Sequence, residues 1–139
     1  MADDVVLNKA AIIERCVARV REEYAGDEQN LVADVTKQDS IVLNLQRACE
    51  AAIDLAMHMV RVRHLGIPQE TRDAFTLLEN GGVLTAELVG RMVRMVGFRN
   101  VAVHDYQRLN LAIVKSIVTD HLEDFLAFTR AALQGSAGA

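Results

Sequence analysis

The sequence has 139 residues, enough for one domain and little more. Hydrophobic residues make up 51% and aromatics only 4%, so Ala, Val, Leu and Ile are expected to build the core, and a wholly disordered chain is excluded. A formal net charge of -4 argues against broad electrostatic binding of nucleic acid. No apolar run approaches the roughly 20 residues that span a bilayer, and the opening MADDVV lacks the basic stretch of a secretory signal, so a soluble cytoplasmic setting is expected.

Helical spacing runs through the chain, and alternating strand patterns are absent. A first helix is expected from about Asp4 to Tyr24, where Ile12, Cys16, Val20 and Tyr24 form an i, i+4 row that stops at Gly26. Residues 26–34 read as a polar connection. The longest helix is expected from about Lys37 to His64, with Thr36 and Asp39 as a capping box. Ile41, Leu45, Ala48, Ala52, Leu55 and Met59 form its core stripe, and Gly66 and Pro68 end it. A short helix follows over about Glu70 to Glu79. Thr85 is the expected N-cap of a fourth helix, whose apolar pattern breaks at Gly97. The last helix is expected from about Tyr106 to Leu133. Residues 1–134 then form one domain, and residues 135–139, GSAGA, a disordered tail. Short connections imply an all-α, up-and-down bundle of four to five antiparallel helices.

Cys16 and Cys49 stand alone among apolar residues, without metal-ligand spacing, and are expected to be buried small hydrophobes. Gln46, Glu50, Asp54 and His58 form a polar row that reads mainly as a solvated or interfacial face. His64 and His121 read as helix-end or surface residues. No metal site and no cofactor are expected.

The informative segment is Phe98-Arg99-Asn100-Val101-Ala102-Val103-His104-Asp105-Tyr106. Arg99 and His104 lie five apart and cannot share one face of a regular helix. A kink near Gly97, or a turn at the start of the last helix, is expected to bring them together. Four arginines (Arg91, Arg94, Arg99, Arg108) and one acid, Asp105, fall between Gly90 and Arg108, a candidate basic patch. Arg91, Arg94 and Arg108 are candidate RNA contacts.

The residues from Arg99 to Tyr106 resemble the signature of the HEPN superfamily and, within it, the HepT-like toxins. That signature is an Arg, a polar residue, three more positions, a His, any residue and a Tyr. The similarity extends through DSIVLNLQRACEAAIDLAMHMV and FTLLENGGVLTAELVGRMVRMVGFRN and covers about Val32 to Arg130. The resemblance implies a ribonuclease toxin that forms a symmetric homodimer. It also implies a minimal nucleotidyltransferase antitoxin that silences the toxin by transferring AMP to Tyr106.

The side chains suit that chemistry. RNA carries its own nucleophile, the 2′-hydroxyl. An imidazole can move protons near neutral pH, so His104 is the expected acid or base. A guanidinium can grip two phosphate oxygens, so Arg99 is the expected charge stabiliser. Asn100 could orient the phosphate. Such cleavage needs no metal and leaves a 2′,3′-cyclic phosphate. The alternative is a non-catalytic accessory subunit that binds nucleotide or substrate for a nucleotidyltransferase.

Overall fold

Asp3 opens the first helix by accepting a hydrogen bond from the Val5 amide, and α1 then runs Asp4–Tyr24, as its apolar row requires. The computed structural model describes residues 3–137. After α1 the expected polar connection contains a single helical turn, α2 (Gln29–Val32). The long helix α3 spans Val35–Val62.

The cap of α3 differs from the expected one. Asp34, in extended backbone, accepts from the Lys37 amide at 3.0 Å, so Thr36 lies inside the helix and caps nothing. Two cap-competent residues stand two positions apart, and the chain uses the one that still lies in extended backbone. Asp34→Ala should therefore cost about 1 kcal/mol in urea unfolding, whereas Thr36→Ala should stay within about 0.5 kcal/mol of wild type. Equal losses would contradict the assignment.

Gly66, at φ +135°, ends the approach to a short helix α4 (Asp73–Asn80). Thr85 then caps α5 as expected, accepting from the Leu88 amide. Helix α5 runs unbroken through Gly97 to His104. The expected interruption does not occur. Val96, Phe98 and Ala102 carry the buried stripe across Gly97, and packing offsets the roughly 1 kcal/mol that a mid-helix glycine costs. The chain turns only after His104, in a 3₁₀ turn over Tyr106–Arg108. The last helix consequently starts later than expected. It comprises α6 (Leu111–Ser116), a π turn over Ile117–His121, and α7 (Leu122–Ala137).

Residues 135–137 belong to α7 rather than to a tail. The Gly135 carbonyl accepts from Arg63, and Ser136 Oγ accepts from the Asp3 amide. These contacts hold the final turn; the last two residues of the expected tail lie outside the described ones.

The helices alternate in direction, as expected. Lys9 pairs with Asp54, and Arg21 with Glu123, so α1 runs antiparallel to both α3 and α7. Helix α3 is the central element, touching α1, α2, α4, α5 and α7. A continuous core joins all four long helical segments. Phe75 and Phe128 meet edge-to-face in it, 5.6 Å between centroids. Among the described residues, no helix is long and apolar enough to cross a membrane. At one end of the bundle, the C-terminus of α5 meets the N-termini of α3 and α6. The motif lies there.

Candidate active site

Arg99 lies on α5 and is half-buried against α3. Burial pushes the thiol of Cys49, on α3, well above its usual range, and the charge of Arg99 pulls the other way. Both cysteines are free and buried, as expected. The Arg99 Nε is sealed from solvent and has no hydrogen-bond partner among the described residues. A buried donor left unpaired is a strain that native structures rarely keep without a use.

His104 is the last residue of α5 and is exposed. Five residues of unbroken helix leave Arg99 and His104 about 140° apart around the axis and about 7.5 Å apart along it. No kink brings them to one face within a chain.

Asn100 is exposed in a recess with Thr71 and Arg72. The expected basic patch is partly neutralised. Arg91 is held by Glu87 at 2.6 Å and by Asp124 at 3.1 Å. Arg108 pairs with Asp105 at 3.3 Å. Arg94 is exposed and makes no ion pair among the described residues. These three arginines share a cavity of about 410 Å³ between α5 and α6, with Met95, Phe98 and Ile117 in its walls. On α5 the stripe Gly97, Val101 leads from this cavity to His104, because steps of four and three residues stay on one helix face.

Tyr106 sits in the 3₁₀ turn, 41% exposed. Its hydroxyl donates to Asp39 Oδ1 on α3 at 2.6 Å. Partial burial, together with this bond, pushes the phenol up to about 12.

Reading the sequence alone missed Asp39, which the capping-box pattern claimed. It also missed the His121–Asp124 pair, joined at 3.0 Å beside the π turn. Asp124 is the buried acid of that pair, but it follows another acid, Glu123, so residue type alone did not mark it. The polar row on α3 is a largely solvated face whose ion pairs reach α1 and its cap. Gln46 donates to Glu50, Asp54 pairs with Lys9, and His58 holds the Asp3 carboxyl below its usual range through a hydrogen bond. Among the described residues, no group of three His, Cys, Asp or Glu is placed to hold a metal ion.

Residues 13–132 match the family described as Ribonuclease HepT-like. The chain belongs to the HepT-like ribonuclease family. The HepT-like chain is 52% identical over 126 residues to the mRNA nuclease HepT of Shewanella oneidensis, covering 91% of this chain and 94% of that protein. It also superposes on a toxin–antitoxin crystallised with AMP-PNP, with TM-score 0.88 and 50% identity over 93% of this chain and 97% of the other. A tri-AMPylated Shewanella oneidensis HEPN toxin in complex with MNT antitoxin gives TM-score 0.87 and 50% identity, over 93% and 96% of the two chains. The cytosolic protein YutE of Bacillus subtilis, at 14% identity and TM-score 0.80, shares the fold alone.

Proposed function

We propose that this chain is an endoribonuclease toxin that cleaves RNA by metal-independent acid–base chemistry in the cytoplasm. On this reading it works as a homodimer and is silenced by a nucleotidyltransferase antitoxin that adenylylates Tyr106. The observation that carries the reading is the complete motif at one end of the bundle, in a chain half identical to toxins crystallised with such partners.

In the proposed reaction His104 takes the proton of the 2′-hydroxyl, which attacks the adjacent phosphorus. The bond to the 5′-oxygen breaks, and that oxygen leaves with a proton from a second acid. The products are a 2′,3′-cyclic phosphate and a 5′-hydroxyl. Arg99 supports the phosphorane, whose extra negative charge a guanidinium can hold through two oxygens. Its Nε has no hydrogen-bond partner among the described residues, which suits that role. Asn100 orients the phosphate, and Arg94 and Arg108 contact the flanking strand. Arg91 has less to offer, since two carboxylates already occupy it.

One chain supplies one His104, with Arg99 on another face. A twofold cleft would supply two of each and so fill both proton-transfer roles. The exposed apolar side chains around the motif, Val101, Val103 and Ile113, favour burial against a second copy.

The test is cleavage of RNA in excess EDTA, with end-group analysis of the products. Expected are 2′,3′-cyclic phosphate ends and undiminished rate. A strict need for added Mg²⁺ would refute the metal-independent mechanism. Subunit mixing tests the shared cleft. Arg99→Ala and His104→Ala chains, each inactive alone, should recover part of the wild-type activity when mixed, because about half the dimers are then mixed and each keeps one Arg99 and one His104 in the shared cleft. No recovery would mean that each site draws on one chain only.

A further inference from the structure

We propose that Asp39 is the catalytic base for transfer of AMP to Tyr106, so that the toxin supplies part of the chemistry of its own silencing. The inference rests on the reading of Tyr106 as the AMP acceptor.

A phenol is a weak nucleophile while it keeps its proton, and covalent transfer to a hydroxyl normally requires an adjacent base. The Tyr106 hydroxyl already points its proton at Asp39 Oδ1, at 2.6 Å, within the range of a hydrogen bond to a charged acceptor. Asp39 lies in the second turn of α3, is exposed, and has no cation paired with it among the described residues. No ion pair among the described residues has to break before Asp39 can take the proton. Tyr106 is 41% exposed, which leaves the residue within reach of a partner enzyme. With the phenol held at about 12, no useful fraction of phenolate stands ready near neutral pH, so the proton must leave as the new bond forms.

Tyr106 Oη attacks the α-phosphorus of a nucleoside triphosphate presented by the nucleotidyltransferase. The Oη–P bond forms, and the bond from that phosphorus to the bridging oxygen of the β-phosphate breaks. Pyrophosphate leaves with the electron pair, and the phenolic proton passes to Asp39. No oxidant or reductant takes part. Once the ester has formed, Tyr106 has no proton to donate and carries a phosphodiester anion beside a carboxylate. The side chain is then pushed away from α3.

The experiment measures AMP incorporation into the full chain by the nucleotidyltransferase partner with ATP, followed by intact mass. Asp39→Asn keeps an acceptor for the tyrosine but removes the base. Its kcat for transfer should fall about 10²–10³-fold with KM for the toxin little changed. A contact that merely positions the ring would be preserved by Asn and would show no such fall. Asp39→Ala should fall at least as far, and Asp39→Glu should recover part of the loss. Circular dichroism and melting check that each variant folds. Transfer to Asp39→Asn within about threefold of wild type overturns the proposal while leaving Tyr106 as acceptor. A wild-type chain that takes up no AMP overturns both.

Discussion

Replacing His104 by Ala should lower RNA cleavage by about 10²–10⁴-fold and leave stability almost untouched. The side chain is exposed at the end of α5, and surface substitutions of this kind stay within about 0.5 kcal/mol. Arg99 should behave differently. Its guanidinium is set half inside the protein with Nε unpaired, an arrangement that works against folding. Arg99→Met keeps the length of the stem and removes the unsatisfied donor. It should abolish most cleavage, by at least about 10²-fold, and raise the melting temperature. The two variants thus separate a site residue placed at no structural expense from one that opposes stability. Steady-state cleavage of a fluorogenic RNA and thermal melts would measure both. An active Arg99→Met variant, or one that melts well below wild type, would show that this guanidinium is structural.

Tyr106→Phe should make the toxin resistant to silencing while preserving its fold. Wild-type protein co-expressed with the nucleotidyltransferase should gain mass in whole AMP units mapped to Tyr106 and lose ribonuclease activity. The Phe variant should gain none and remain active, and cells carrying both genes should stop growing. The expected effect is nearly all-or-none, because Phe has no oxygen to accept the group. Loss of the hydroxyl also breaks the bond to Asp39, but that contact is solvent-exposed and worth only about 1 kcal/mol. Modification at another residue, or covalent silencing of Tyr106→Phe, would overturn the acceptor assignment.

Where helices begin and end was legible in the sequence only when one residue dominated the choice. Thr85 had no rival, and it caps α5. Asp34 and Thr36 compete two positions apart, and only the backbone conformation at Asp34 decides between them. Gly97 looked like a break because propensity is local. The buried stripe that carries α5 past it depends on partners from other helices. The motif itself was legible as a string of residue types. Its geometry was not, since an unbroken α5 places Arg99 and His104 on different faces. Asp39 was invisible because its partner lies 67 residues away, and no local pattern reports a contact at that separation. The π turn likewise has no signature in residue type.

The 3₁₀ turn that follows α5 leaves a single residue, Asp105, between His104 and Tyr106. An adenylate on Tyr106 would therefore act as a tethered competitor. Its effective concentration at the site would be set by the linkage, on the order of millimolar for a short flexible connection, and not by how much nucleotide the cell contains. Abundant RNA could not titrate it away. The antitoxin would not have to remain bound, so a small number of enzyme molecules could disarm a large excess of toxin. Growth arrest would then depend on the rate at which new toxin is made relative to the rate at which it is modified, and not on the ratio of the two proteins.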